Sequence, residues 1–421
     1  MNLASLRIIL TKIRWLIYEV ASSGLDGALY IFRVPVPGIP GKAVTGKKRI
    51  VFIGELLPPR TARMAKWLSR SGIYSTVLVC SKRGYVAKFS DPHFEATFLF
   101  RNKWHLRRIL LRIPDVALLH SFAPKSYFPD IARLTLNVPF IHDMQDVYAI
   151  YYGLRPTLRW LKKELPHEKA CLEHADGLVA HSLEPNVAYR KYRTQRKPSN
   201  LFFPLYCDND YFCEPGPCFK DGEIHIVYAG GVAGSHRNPK QYGSIMFQPL
   251  IRTLSGQHIH FHIYPSPSNV RADYEEYEAT AKENPYFHFH EPVAQHKLAG
   301  EMSKYDWGIL PFFSGQNEQS EDKYKYATTL KLFNFLEAGL PVIVSKDIIY
   351  QSWILDRYGC GVLIDGTDIQ SLRNKVTPDK RIELLKNLLQ ARQTLSLEQN
   401  TGRLLAFYDK MLAGKPFPHN P

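Results

Sequence analysis

The chain is poor in the features that would place it outside an ordinary reduced, water-soluble setting. Its six cysteines show no paired framework and no CxxC spacing. Cys207, Cys213 and Cys218 lie close together, but no histidine sits among them at zinc-site spacing, so free thiols in a reducing cytoplasm are expected and a structural metal is not. Long apolar runs are missing too. Arg7, Lys12 and Arg14 interrupt the first candidate long before the roughly 20 residues that a membrane helix needs, and they break a signal-peptide core. There is no GxGxxG nucleotide fingerprint, no low-complexity tract and no short internal repeat. The first half also lacks acid. Residues 1–215 hold 32 Lys and Arg against 17 Asp and Glu, whereas residues 216–421 hold 22 of each. A basic half beside a neutral one suggests an anionic partner for one domain only. Membrane headgroups, a lipid diphosphate or nucleic acid have that charge. The lack of a helix-turn-helix, zinc-finger or RNP-type signature argues against nucleic acid.

What is present fits two domains, each with its own core, in 421 residues. Residues 3–20 place Leu6, Ile9, Leu10, Ile13, Leu16, Ile17 and Val20 on one helical face, with basic residues around them. Such a helix fits a membrane interface or the flank of the first domain. A linker rich in Pro and Gly follows at 34–48. From Arg49 strands and helices alternate. Strands are expected at Arg49–Ile53, Ser75–Cys80, Ala96–Phe100, Val116–Leu119, Phe140–His142 and Leu178–Ala180, and in the second half at Ile224–Tyr228, Ile259–Tyr264, Phe287–Phe289 and Gly361–Ile364. The alternation predicts parallel sheets with helices on both faces, and ligands at the carboxyl ends of strands. A single helical pattern covers Asp379–Met411. Basic stretches at Arg101–Arg112 and Tyr189–Lys197 read as solvated faces, or together with 3–20 as a surface for anionic lipid. The alternating His258, His260 and His262, with His288 and His290, read as structural, since no carboxylate or cysteine joins them at useful spacing.

Thr328–Lys346, TTLKLFNFLEAGLPVIVSK, is the most informative stretch. Leu330, Phe333 and Leu336 recur at helical spacing, Gly339 stops the helix, and Val342–Val344 fit a buried strand. Thr328, Thr329 and Lys331 gather at the helix start, where free backbone N–H groups favour an anion; Glu337 stands further along. These residues fit a nucleotide diphosphate and its ribose, or an ordinary amphipathic helix.

The run KLFNFLEAGLPVIVS resembles the segment KLFEYLAAGKPVVAS of GT-B glycosyltransferases, in particular the large retaining group called family 4. Weaker likenesses follow. YAGGV at 228–232 is similar to the family's entry to the donor domain, and KYDWGILPF at 304–312 to one of its later strands. FFPLY at 202–206 resembles the turn closing the first domain, which makes Asp208 and Asp210 turn residues and no DxD metal motif. The resemblance implies two Rossmann-like domains facing across a cleft. A basic segment and linker would occupy 1–45, an acceptor domain 46–215, a donor domain 216–385, and a helix returning to the first domain 386–421. It implies retaining transfer of a sugar from a nucleotide-sugar donor, without metal or other cofactor, to a glycan or lipid-linked acceptor. Cell-surface polysaccharide or glycolipid synthesis at the inner membrane face is the implied setting. It further implies donor contacts from Gly230, Gly231, Arg237, Lys240, Thr328, Thr329, Lys331 and Leu332, with Glu337 on the ribose and Thr329 in place of a first family glutamate. His142 and Asp143 would act at the transferring sugar, and Gly54 would lie next to donor phosphate or acceptor. Arg60 and Arg63, by their own chemistry, fit an acceptor phosphate or, more commonly, a solvated surface. An inactive scaffold of the same fold and a polyanion-binding protein stay open as alternatives.

Overall fold

The structure, a computed structural model, describes residues 21–32, 36, 41, 46–55, 57–81, 93–122, 124–194, 196–216, 219, 221–313 and 321–414. The amphipathic stretch 3–20 and most of the linker lie outside the described residues. Among the described residues no helix is long and apolar enough to cross a membrane.

Apolar runs such as IVFI at 50–53 are buried on both sides, as central parallel strands require. The first sheet holds seven parallel strands: β1 (Lys48–Gly54), β2 (Tyr74–Ser81), β3 (Ala96–Phe100), β4 (Val116–Phe122), β5 (Phe140–Met144), β6 (Gly177–Ala180) and β7 (Ser199–Phe202). Their spatial order is 3-2-1-4-5-6-7. The second sheet has β8 (Ile224–Gly230), β9 (Ile259–Pro265), β10 (Phe287–Phe289), β11 (Trp307–Leu310), β12 (Val342–Ser345) and β13 (Gly361–Ile364), ordered 10-9-8-11-12-13. Each sheet reverses its strand order once, between β1 and β4 and between β8 and β11, and the crevice at such a point is the usual ligand position in open α/β sheets.

Six helices matter for the site: α1 (Pro59–Arg70), α2 (Glu184–Tyr192), α3 (Glu321–Tyr326), α4 (Leu330–Glu337), α5 (Pro378–Thr394) and α6 (Leu397–Leu412). On α1, Arg60, Arg63, Lys66 and Arg70 recur at helical spacing, so four cations share one face. That face is turned inward onto the segment linking the sheets. Arg60 donates to the carbonyls of Phe203 and Pro204, both at 2.8 Å; Lys66 reaches Asp208 at 2.6 Å and Arg70 reaches Asp210 at 2.6 Å. One apolar cluster runs from α1 through Phe203–Cys207 into the second sheet, so the two domains share a core.

The helical pattern at 379–411 is two helices. They break at Leu395–Ser396, where Cys207 pairs with the chain and Ser396 caps α6 by accepting from the Gln399 N–H. α6 lies on the first domain: the Tyr74 hydroxyl donates to Asp409 at 2.8 Å, and a side chain at Gly177 would meet the Phe407 ring. In the second sheet, register sets His225 beside His260 and His262 beside His288 on one face. The rings stack and bond to each other, with His225 to His262 at 2.8 Å and His262 to His290 at 3.0 Å. Their nitrogens are engaged in ring-to-ring contacts, the structural arrangement expected of them. His258, by contrast, stacks on Tyr286 just before β9.

Candidate functional site at the interdomain cleft

At the switch point of the second sheet, β8 ends on Gly230 and α4 begins on Leu330. The Lys331 side chain folds back over Gly230. A Cβ on that glycine would stand 2.1 Å from Lys331 Cε, and its φ of 154° already disfavours a side chain. Lys331 Nζ lies 5.7 Å from the Tyr228 ring centre and 5.6 Å from that of Phe312. Among the described residues no carboxylate pairs with it, and burial lowers its pKa to about 8. Beside it, Thr329 caps the helix by accepting from the Lys331 N–H at 3.0 Å. The Thr328 hydroxyl is buried and has no hydrogen-bond partner among the described residues. Gly231 is open around its Cα, with nothing nearer than Ile245 at 3.9 Å. Leu332 is fully buried by its side chain, which leaves only its first-turn amide for a ligand. Backbone donors, a hydroxyl and an amine without a counterion thus converge on one switch point. This chemistry suits a phosphate-bearing anion.

Glu337 is placed differently from the ribose assignment. It ends α4, the far end from Lys331, and is 1 % exposed. Its oxygens accept from Arg63 at 2.6 and 3.1 Å and from the Asp208 N–H at 2.7 Å. The carboxylate is therefore a bolt between the domains. Counted back from the shared Gly-x-Pro, the glutamate of KLFEYLAAGKPVVAS falls on Asn334, whose amide oxygen accepts from Gln295 at 3.0 Å.

Other assignments are corrected by burial or prior pairing. Arg63 is committed to Glu337, and Arg60 to Asp143 at 2.9 Å and two carbonyls, so neither is open to an acceptor phosphate. Nor are they solvated surface arginines. Gly54 is required by packing, since a Cβ there would meet the Phe122 ring at 2.3 Å and its carbonyl at 2.6 Å. His142 is 2 % exposed within β5, bonded to the Ser121 hydroxyl at 2.6 Å, and burial pulls its pKa down to about 4. Asp143 is 1 % exposed, and burial pushes its pKa up while Arg60 opposes. Both are buried, although they stand in the carboxyl half of β5. Arg237 is held by Asp273 at 2.8 Å through two nitrogens. Lys240 is exposed on the short helix Pro239–Tyr242.

The cleft is closed elsewhere by a contact that sequence patterning does not reveal. Lys323 on α3 donates to Glu184 at 2.8 Å and to Asp146 at 2.5 Å, both in the first domain. The Leu183 N–H donates to the Tyr326 carbonyl at 3.1 Å. Lys323 sits in a charged hexapeptide without periodicity, so only its partners reveal its role.

Residues 243–406 match the family model described as glucosyltransferase 3-like, C-terminal domain. The sequence has no match among curated proteins. Solved structures of like fold include a sucrose-phosphate synthase from Thermosynechococcus elongatus, at 14 % identity and TM-score 0.63, covering 88 % of this chain and 100 % of that one. A glycosyltransferase from Rickettsia africae has 12 % identity and TM-score 0.62, covering 87 % and 99 %. Anabaena HepE in complex with UDP has 11 % identity and TM-score 0.61, covering 86 % and 100 %. The fold is GT-B. Both halves of that architecture are present, and Gly230 and Lys331 sit at the switch point of the second half.

Proposed function

We propose that the protein is a glycosyltransferase that takes a sugar from a nucleoside diphosphate donor bound at the second domain. The observation that carries this is the Lys331 amine, held against Gly230 with no acid partner among the described residues. A diphosphate there would meet that cation, the Thr328 hydroxyl and the first amides of α4. Groups already aimed at the leaving diphosphate stabilise its growing charge. The match at 243–406, together with the like fold of HepE, a protein solved in complex with UDP, makes UDP and its sugars the first ligands to try.

The resemblance of 328–346 to the retaining group supports transfer with retention, the donor phosphate taking the proton from the acceptor hydroxyl. No side chain need then act as nucleophile or base, and the burial of His142 and Asp143 fits that mechanism. The basic first domain would hold a glycan or lipid-linked acceptor at an anionic surface. The anomeric configuration of the product, read by NMR, tests retention.

Lys331→Met is the direct test. A charge-assisted hydrogen bond contributes about 1.5–3 kcal/mol, so UDP affinity by calorimetry should fall roughly ten- to a hundredfold in a folded variant. Unchanged affinity would remove Lys331 from the site and the proposal with it. A second reading, a nucleotide-binding scaffold without transfer, is favoured by one observation: Glu337 is spent on Arg63. Donor binding with neither hydrolysis nor transfer would select it.

A further inference from the structure

The stretch Tyr189–Lys197 is not absorbed by the donor site, and it borders a cavity of 570 Å³. The volume falls within the roughly 300–1,000 Å³ of small-ligand pockets. Arg190 and Lys197 line it, both exposed, and no carboxylate does. The Lys197 ammonium lies 5.7 Å from the Tyr189 ring centre. Arg193 and Arg196, also exposed, flank the same turn. The Tyr189 side chain is buried, with 7 % exposure, and packs in the wall of the cavity. The far wall is Tyr326, which comes from the second domain and whose carbonyl is tied to Leu183.

We propose that this cavity is a phosphoryl-binding site, separate from the one at Gly230 and Lys331. Arg190 and Lys197 supply the charge that a phosphoryl group requires. The apolar wall of Leu183 and Val187 accommodates the carbon skeleton of a phosphate ester. Because Tyr326 forms one side, an occupant touches both domains and favours the arrangement in which they meet. The ligand class is a phosphate monoester or diester, supplied either as a soluble metabolite or as a lipid headgroup.

The test uses the full chain carrying Lys331→Met, so that the switch-point site does not contribute. Calorimetry with glycerol 3-phosphate reads the soluble source, and co-sedimentation with phosphatidylcholine vesicles, with and without phosphatidic acid, reads the lipid source. Binding in either arm that weakens at least tenfold in Arg190→Ala/Lys197→Ala supports the site, and the arm that responds names the source. No binding in either arm, or binding indifferent to the double substitution, overturns the proposal.

Discussion

Replacing Glu337 by alanine should destabilise the whole protein, and the structure sets the scale. Arg63 is 4 % exposed and donates to both carboxylate oxygens, at 2.6 and 3.1 Å. Without Glu337 its guanidinium stays in a low-dielectric interior, its remaining hydrogen-bond acceptors among the described residues being the Tyr206 carbonyl and the Asn334 amide oxygen, both at 3.4 Å. Breaking one side of such a pair costs about 3–5 kcal/mol, because the remaining charge is uncompensated. The Asp208 N–H loses its acceptor as well, a cost that does not simply add. At about 2–4 °C per kcal/mol for a domain of this size, the melting temperature should drop by roughly 6–20 °C. Arg63→Met with Glu337→Leu removes both charges and should recover most of the loss. Differential scanning calorimetry on the three variants reads this out. A Glu337→Ala protein melting within about 2 °C of the parent would refute the interdomain role. A loss of nucleotide affinity without loss of stability would return Glu337 to the ligand.

Four further outcomes are expected. Lys331, lowered to about 8 from 10.5 by burial, should take up a proton when a diphosphate binds, so affinity falls as pH rises through about 8. Calorimetry in buffers of different ionisation enthalpy detects that proton. In the unliganded protein the sign is opposite: between about 8 and 10.5 the unfolded chain holds the proton that the folded chain lacks, so this residue adds stability as pH rises. Burial also lowers His142 to about 4 and His181 to about 3, so urea stability should fall as pH drops from 6.5 toward 4, where unfolding takes up protons; a flat profile would refute their neutral burial. Gly230→Ala should displace the Lys331 side chain and weaken UDP binding like Lys331→Met, and unchanged binding would show that the two residues do not share a site. Lys323→Ala leaves Glu184 buried beside Asp146 without its cation, so small-angle scattering should show a larger radius of gyration; an unchanged radius would mean that this latch does not hold the domains together.

The fold is largely legible because parallel strands announce themselves. The runs at 49–53, 75–80, 224–228 and 342–344 are too apolar and too short for anything but central strands, and all four are. β7 escapes the pattern, since Ser199 and Asn200 dilute its apolar signal. At the site, the residues legible from local chemistry are those whose task is local: Thr329 caps its own helix, and Lys331 and Gly230 meet at a switch point. Residues whose partners lie far off in sequence are misread or missed, because no spacing rule links position 63 to 337 or 323 to 146.

The misreading of the basic half has one physical source. A count of charges treats each lysine and arginine as surface, yet Arg49, Arg60, Arg63, Lys66 and Arg108 are all buried. Their partners are Glu95, Asp143, Glu337, Asp208 and Asp26, of which Glu337 belongs to the neutral half. The excess of base over acid therefore does not measure an exposed field. Part of it is spent inside, holding the crossover segment and the second domain against α1. What faces outward without an acid partner among the described residues is narrower, and it includes two groups: Arg155, Arg159, Lys162 and Lys163 around the start of the helix Arg159–His174, and Arg190, Arg193, Arg196 and Lys197 at the turn after α2. If an anionic partner accounts for the basic half, the charge geometry puts it on these groups and not on the arginines of α1. Reversing Arg193 and Arg196 to glutamate should then weaken retention on phosphatidic acid vesicles, while Arg60→Lys should leave it intact and lower only the melting temperature.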